Sequence, residues 1–129
     1  MGIFSKVLIA SDYDGTLVPS TKKVTDKVRA AIRYFISEGG YFTVCTGRTY
    51  QGFHSYSPDI INAPALLSNG GMAYDYAAGK IVIDDGIGDE GIDALRDVRD
   101  LFPELAIEMY AFNDTYSINL HDNSMRHFT

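Results

Sequence analysis

The sequence has little cysteine and no long apolar run, and both absences limit what the protein can be. Cys45 is the only cysteine among 129 residues, so neither an intrachain disulfide nor a cluster of thiolate metal ligands can form. A single free thiol is typical of the reducing cytoplasm, which is the predicted location. No apolar run approaches the roughly 20 residues that cross a bilayer, and the first residues lack the apolar core of a signal peptide. We therefore expect no membrane partner.

Positive charge is also scarce. Lys and Arg number 11 against 17 Asp and Glu, which gives a formal net charge of −6. This balance argues against nucleic acid or an anionic membrane surface as a partner. A small phosphorylated molecule remains possible as a ligand, because binding it needs only a local group of hydrogen-bond donors and a cation. With 46% apolar residues, the composition is that of a globular chain.

The order of predicted elements in the first half indicates an α/β fold. A continuous apolar run is typical of a strand buried on both faces, as in a parallel sheet. Thr25 is the predicted N-cap of the first helix, and Gly39-Gly40 ends it. The alternation of strands and helices predicts a parallel sheet with chemistry at the carboxyl ends of its strands. The predicted strands are Val7–Ala10, Tyr41–Cys45 and Ala65–Leu67, and the helices are Asp26–Glu38 and about Tyr50–Tyr56.

The pattern changes after Asn69-Gly70-Gly71. Two short strands around Ala77-Ala78-Gly79 predict a β-hairpin. Apolar residues at helical spacing then predict a helix, and two further strands bracket an Asn113-Asp114 turn. The predicted ranges are Met72–Tyr76 and Lys80–Ile83 for the hairpin, Glu90–Phe102 for the helix, and Leu105–Tyr110 and Tyr116–His121 for the last strands.

The segment Asp12-Tyr13-Asp14-Gly15-Thr16-Leu17 follows the first strand directly. Two carboxylates two residues apart on an extended chain project to the same side. Such crowded charges suit a cation, or a division of roles between a nucleophile and a general acid/base. An EF-hand is excluded because Ala10 and Thr21 would occupy its first and twelfth positions, where acidic ligands are required. No P-loop sequence occurs.

This segment resembles the first motif of the haloacid dehalogenase superfamily, Asp-x-Asp-Gly-Thr after an apolar strand. The resemblance implies that Asp12 attacks phosphorus to give an aspartyl-phosphate and that Asp14 is the acid/base. It also implies Mg²⁺ held by the Asp12 carboxylate and the Asp14 backbone carbonyl, and it places Thr16 among the phosphate-binding residues. The physical chemistry agrees, because carboxylates are established nucleophiles toward phosphoryl groups and Mg²⁺ prefers few carboxylates plus phosphate oxygens.

Two later segments extend the resemblance. Thr46-Gly47-Arg48 is similar to the second motif, in which the Thr hydroxyl and nearby backbone N–H groups hold the phosphate, aided by the following helix N-terminus. Arg48 could contact the substrate or form a surface ion pair. Ser68-Asn69-Gly70-Gly71 resembles the Cof-type members, in which the Asn lies near the substrate entrance. Asn-Gly also suits a tight turn with positive φ. A receiver domain is disfavoured, because it needs an Asp where Asn69 stands.

The family completes its site with a later Lys and an acidic Gly-Asp motif. No Lys follows Lys80. Gly88–Asp93 imitates the acidic motif, but its place at the start of an amphipathic helix favours Asp89 as an N-cap and Glu90 as a first-turn charge.

The resemblance therefore predicts a Rossmann-like parallel core over residues 1–85, incomplete, and the beginning of an α/β cap domain over residues 86–129. The predicted function is Mg²⁺-dependent hydrolysis of a phosphate monoester of a small metabolite, with this chain an incomplete and inactive fragment. A phosphomutase of the same superfamily is one alternative. A non-catalytic fragment that associates with its own copies through exposed edges is another.

Overall fold

The computed structural model describes residues 2–18, 23–56 and 58–119. The chain divides into two compact units, Met1–Asp85 and Gly86–Thr129. In the described residues no helix has the length and apolar character needed to cross a membrane.

The first unit contains a five-stranded sheet in the order β1-β2-β3-β4-β5. The first three strands are parallel, and the last two pair antiparallel as a hairpin. The predicted α/β class with a mostly parallel sheet is thus confirmed. The strands are β1 (Leu8–Asp12), β2 (Tyr41–Cys45), β3 (Ala65–Leu67), β4 (Met72–Asp75) and β5 (Lys80–Asp84).

The helix α1 (Asp26–Ser37) connects β1 to β2. Thr25 is its N-cap, as predicted, and the Thr25 hydroxyl accepts the Val28 N–H at 3.4 Å. Gly39 follows the helix with φ +88°, the left-handed conformation that ends a helix at low cost. Because its apolar residues recur at helical spacing, α1 buries Ile32 and Phe35 and leaves its polar face in solvent.

The second helix, α2 (Tyr50–His54), has five residues and lies between β2 and β3. Thr49 caps it by accepting the Gly52 N–H at 3.2 Å, and a short 3-10 turn follows at Pro58–Ile60. Its Phe53 is fully buried. The core of this unit is formed by side chains that have at most 2% of their surface exposed, namely Tyr13, Val18, Val44, Phe53, Ala65 and Leu67.

The prediction that the first strand is buried on both faces is wrong. Among the described residues β1 pairs only with β2. Leu8 is 60% exposed and Ile9 is 42% exposed, although the apolar run Val7–Ala10 is typical of a strand inside a sheet. Apolar content alone cannot tell a central strand from an edge strand, because that difference depends on which other strands are present.

The second unit holds α3 (Gly88–Leu101) and an antiparallel pair, β6 (Ile107–Tyr110) and β7 (Thr115–Ile118). The helix begins two residues earlier than predicted, so Asp89 lies inside it and is not the N-cap. Ile87 occupies the cap position and makes no side-chain cap hydrogen bond. Glu90 lies in the first turn, as predicted. The predicted end of the last strand, His121, lies outside the described residues.

Candidate active site

The carboxyl ends of three parallel strands meet at one edge of the sheet. Asp12, the last residue of β1, is in register with Cys45 of β2, and Cys45 is in register with Leu66 of β3. A cleft of about 330 Å³ opens at this edge. It is lined by Asp12, Cys45, Thr46, Gly47, Leu66, Asn69 and Gly70. Four of the seven residues selected from the sequence, Asp12, Thr46, Gly47 and Asn69, thus lie around one cavity.

The turn after β1 places Thr16 against Asp12. The Thr16 hydroxyl donates a hydrogen bond to Asp12 Oδ2 at 2.8 Å. The turn is closed by the Gly15 N–H, which donates to the Val18 carbonyl at 3.1 Å. Gly15 has φ +79°, a conformation that residues with a Cβ adopt only with strain. The structure therefore places Thr16 where it orients the Asp12 carboxylate.

Asp14 is bound by Arg48 through two parallel hydrogen bonds. Arg48 Nε donates to Asp14 Oδ2 and Arg48 Nη2 donates to Oδ1, both at 2.7 Å. The guanidinium also donates from Nη1 to the Gly52 carbonyl at 3.1 Å, and it lies 4.2 Å from the centre of the Tyr56 ring. The hydrogen bond to Asp14 is the main cause of a raised pKa of Arg48. Of the two roles considered for Arg48, the structure shows an ion pair, and its partner is the predicted acid/base.

Thr46 is buried at the base of the cleft. Its hydroxyl oxygen accepts the Arg48 N–H at 3.1 Å, which shapes the turn after β2. A hydroxyl has one proton to donate as well, and among the described residues the Thr46 proton is not used in a hydrogen bond. That proton is available to a ligand in the cleft, whereas the Arg48 N–H is already used.

The turn after β2 is joined to the turn after β3. The Asn69 N–H donates to the Thr46 carbonyl at 3.1 Å, and the Ser68 N–H donates to the Arg48 carbonyl at 2.9 Å. A Cβ on Gly47 would lie 3.0 Å from Asn69 Oδ1, so glycine permits this approach. Asn69 itself has φ +56°. The tight turn with positive φ considered for Asn-Gly is therefore present, and the Asn69 side chain also lines the cleft.

Comparison with known proteins decides the family. The family model for haloacid dehalogenase-like hydrolases matches residues 9–128. The chain belongs to this family. The predicted family is confirmed.

The relatives that this chain matches are longer than the chain itself. The Bacillus subtilis protein named "Putative phosphatase YxeH" is 30% identical over 112 residues, which are 84% of this chain and 40% of that protein. A protein of Buchnera aphidicola subsp. Baizongia pistaciae, also named as a putative phosphatase, is 29% identical over 114 residues, or 87% of this chain and 42% of that protein. The chain thus spans less than half the length of these relatives.

Solved structures of the family share the fold. A phosphatase of the HAD superfamily from Bacteroides thetaiotaomicron superposes with a TM-score of 0.78 at 19% identity, over 96% of this chain and 45% of that one. A sugar phosphatase of HAD subclass IIB superposes with a TM-score of 0.77 at 16% identity, over 95% of this chain and 47% of that one. At these identities the superpositions show a shared fold. Membership of the Cof-type group, inferred from Ser68–Gly71, stays a prediction.

The described residues of this family member fit part of a Mg²⁺ site. The Asp12 carboxylate lines the cleft and takes a hydrogen bond on Oδ2. A carboxylate and a neighbouring backbone carbonyl are the hard oxygen ligands that Mg²⁺ prefers. In the described part of the chain no three His, Cys, Asp or Glu side chains are grouped to hold a metal. Asp93, of the Gly88–Asp93 segment, forms an ion pair with Arg96 at 2.7 Å.

Sequence reasoning missed three residues around the site, Tyr13, Cys45 and Tyr56. Tyr13 is fully buried, packs edge-to-face on Phe53 at 5.2 Å, and its hydroxyl has no hydrogen-bond partner in the described residues. The signal for Tyr13 was available, because a residue between two same-side carboxylates must point to the opposite face. Cys45 could have been found from its place just before Thr46. Tyr56 could not, since its contact with Arg48 is formed only by the fold.

Proposed function

We propose that this chain carries the phosphoryl-transfer half of a phosphate-monoester hydrolase that acts on a small phosphorylated metabolite. The observation that supports this most directly is the cleft in which the Asp12 carboxylate and the Thr46 hydroxyl line one cavity. A nucleophile and a phosphate-oxygen donor in one cavity are the minimum that a covalent phosphoryl transfer requires.

In the proposed reaction the Thr46 hydroxyl donates to a phosphate oxygen and Thr16 orients Asp12. An Asp12 oxygen attacks phosphorus, the ester P–O bond breaks, and the leaving oxygen takes a proton from Asp14. Asp14 then removes a proton from water as the water attacks the aspartyl-phosphate. Phosphate leaves, and Asp12 and Asp14 return to their starting states.

Arg48 has a positioning role in this scheme. Its two hydrogen bonds to Asp14 hold the carboxylate in one orientation. A carboxylate held in an ion pair has no proton to give, so the first step requires the Arg48–Asp14 pair to loosen. The second step, in which Asp14 accepts a proton, is compatible with the pair as the structure shows it. Because the Asp14 side chain is 53% exposed, solvent can supply its proton.

Mg²⁺ would be held by the Asp12 carboxylate and the Asp14 main-chain carbonyl. When bound there, it neutralises negative charge on the phosphoryl oxygens. The described residues by themselves supply too few acidic side chains for a complete metal site. We therefore propose that the 129-residue chain alone has little activity.

The second unit, residues 86–129, is proposed to be the beginning of the cap that selects the substrate. A solved structure of this fold is a sugar phosphatase, which makes a sugar phosphate the first substrate class to examine. Turnover of sugar phosphates by a full-length protein that contains this chain tests the function. Release of inorganic phosphate supports hydrolysis. Transfer of the phosphoryl group to a second hydroxyl of the sugar would instead show a phosphomutase.

A further inference from the structure

Two tyrosine rings contact the Arg48 guanidinium in addition to its hydrogen-bond partners. The central carbon of the guanidinium, Cζ, lies 4.2 Å from the centre of the Tyr56 ring and 5.1 Å from the centre of the Tyr13 ring. Both distances are within the roughly 6 Å over which a cation is attracted to the face of an aromatic ring. The Arg48 side chain is 18% exposed. The cation that binds Asp14 is therefore largely removed from solvent.

The two rings differ in what else holds them. Tyr13 is fully buried and packs edge-to-face on Phe53 at 5.2 Å, so its place is fixed by the core. Tyr56 is 44% exposed, and its backbone N–H donates to the Phe53 carbonyl at 3.0 Å. A change of the Tyr56 side chain can therefore alter the surroundings of Arg48 without removing a core residue.

The local sequence brings Tyr56 to Arg48. Arg48, Gly52 and Tyr56 follow one another at intervals of four residues, and such positions lie on the same side of a helix. Arg48 Nη1 donates to the Gly52 carbonyl at 3.1 Å, so the side chain runs along α2. A Cβ on Gly52 would lie 3.7 Å from Arg48 Cβ and 3.3 Å from Thr49 Oγ1. Glycine thus keeps this side of the helix open, and the guanidinium reaches the ring beyond the end of the helix.

The contact with Tyr56 bears on the ion pair between Arg48 and Asp14. The Asp14 side chain is 53% exposed, so water competes for the carboxylate and weakens the pair. A ring against the guanidinium shields the cation from water and restricts its movement. The two hydrogen bonds to Asp14 can then keep one geometry although the carboxylate is exposed.

We propose that Tyr56 is a positioning residue, whose ring holds Arg48 in the geometry that orients Asp14. The described residues that line the cleft do not include Tyr56, so its route to the reaction is through Arg48. That the orientation of Asp14 affects turnover rests on the proposed function. The contact between Tyr56 and Arg48 does not depend on the proposed function.

The alternative is that the Tyr56 hydroxyl, and not the ring, holds Arg48. The pKa of Arg48 is raised chiefly by the hydrogen bond to Asp14, and a polar contact with Tyr56 raises it further. The position of the guanidinium over the ring, at 4.2 Å from its centre, favours the ring. Tyr56→Phe separates the two, because it removes the hydroxyl and keeps the ring.

Exchange of the Arg48 Nε–H with water tests the contact. It is measured by ¹H–¹⁵N NMR on a full-length protein that contains this chain, and the signal lost in Arg48→Lys assigns the group. We expect Tyr56→Leu to speed the exchange about two- to five-fold, the size of an exposed cation–π contact. Tyr56→Phe should stay close to the unchanged protein.

The matched control for the exchange experiment is Tyr41→Leu. Tyr41 is 53% exposed and begins β2, at the end of the strand that lies away from Thr46, so the exchange should not change. Circular dichroism checks that the fold is retained, as we expect for a change at the partly exposed Tyr56. Equal exchange in the unchanged protein and in Tyr56→Leu, or equally fast exchange in Tyr56→Leu and Tyr56→Phe, would overturn the proposal.

A single-turnover experiment with a labelled phosphate monoester tests the role of Tyr56 in the reaction. The proposed step that uses the paired Asp14 is the removal of a proton from water during hydrolysis of the aspartyl-phosphate. We expect Tyr56→Leu to slow this hydrolysis about two- to five-fold and to have no further effect when Arg48→Met is also present. An equal effect with and without Arg48→Met would show a route that bypasses Arg48 and would contradict the proposal.

The two experiments separate this proposal from the proposed function. If no aspartyl-phosphate forms in the unchanged full-length protein, the proposed function is wrong, and the exchange measurement still decides whether the Tyr56 ring holds Arg48. If the aspartyl-phosphate forms and Tyr56→Leu hydrolyses it at the unchanged rate, the proposed function stands and the positioning role of Tyr56 is wrong.

Discussion

The two aspartates of the site differ in their neighbours. Asp12 accepts a hydrogen bond from the neutral Thr16 hydroxyl, whereas Asp14 is held by the Arg48 guanidinium through two bonds at 2.7 Å. Carboxylates only two residues apart are thus placed in different electrostatic environments. Such a difference allows one carboxylate to be a nucleophile and the other to exchange protons.

We expect Asp12→Asn to abolish turnover in a full-length protein that contains this chain, while the fold is retained. An amide is a far poorer nucleophile toward phosphorus than a carboxylate. Steady-state hydrolysis of a phosphate monoester measures the loss, and circular dichroism checks the fold. Asp97→Asn, on the exposed face of α3, is the matched control and should keep its rate. Near-normal turnover of Asp12→Asn would remove Asp12 from the role of nucleophile.

Asp14→Asn should lower kcat by about 10²–10⁴-fold, the usual contribution of a general acid or base. Arg48→Lys should have a smaller effect, because an ammonium keeps the charge but cannot form the two parallel bonds to Asp14. The measurement is kcat across pH for both variants in the full-length protein. If Asp14→Asn kept its rate at every pH, the proposed proton transfer by Asp14 would be wrong.

At the scale of elements, the site depends on contact between the turns that follow β2 and β3. Two backbone hydrogen bonds join them, and Gly47 lets the Asn69 side chain approach. Neither turn is long, and neither contains the buried apolar residues that would hold it in place. The positions of Thr46 and Asn69 relative to Asp12 therefore depend on these two hydrogen bonds and on the close approach of Asn69 to Gly47.

We expect Gly47→Ala to destabilise the protein by about 0.5–1 kcal/mol, the lower end of what single substitutions cost, because Gly47 and Asn69 are both exposed. The new methyl group would lie 3.0 Å from Asn69 Oδ1, so the Asn69 side chain must move. Thermal or urea unfolding measures the change. Adding Asn69→Ala should recover part of the loss, because the two positions are in contact. Gly86→Ala is the control, since a Cβ there meets no atom within 4 Å. Equal effects of Gly47→Ala and Gly86→Ala would contradict the contact.

Elements with local signals were predicted well. The N-cap of α1 and the glycine after it depend on residues within one turn of the helix end, and both were found. The start of α3 was misplaced because Asp89 is a favourable cap in isolation, yet the chain starts the helix at Gly88 without a side-chain cap. An N-cap is worth about 1 kcal/mol, and with the helix started at Gly88 both Asp89 and Glu90 lie in the first turn, where their negative charges are also favourable.

At the scale of the whole molecule, we expect the 129-residue chain to hydrolyse a generic aryl phosphate poorly in the presence of Mg²⁺. Its described residues hold the predicted nucleophile and a phosphate-oxygen donor but no cluster of metal-binding side chains. Charge on the transferring phosphoryl group is then poorly neutralised, and that electrostatic stabilisation is usually the largest contribution. The assay compares the chain with a full-length protein. Robust Mg²⁺-dependent hydrolysis by the chain would require Asp89 and Asp93 to be reconsidered as metal ligands.

The sequence by itself determined the family, the class of fold and four of the residues that line the cleft. These follow from short-range patterns: the order of strands and helices, and polar residues placed directly after apolar strands, whose carboxyl ends must meet at one edge of a parallel sheet. Thr46 and Asn69 were predicted in this way, and they line the cleft beside Asp12.

Only the tertiary structure decided that Leu8 and Ile9 are exposed in the described part of the chain and that Arg48 binds Asp14. Leu8 and Ile9 have the same apolar character whether or not a further strand covers them, so exposure cannot be read from their identity. Arg48 and Asp14 are 34 residues apart in the chain, and a guanidinium has several possible partners. Which one it takes depends on distances that exist only after β1 and β2 have paired.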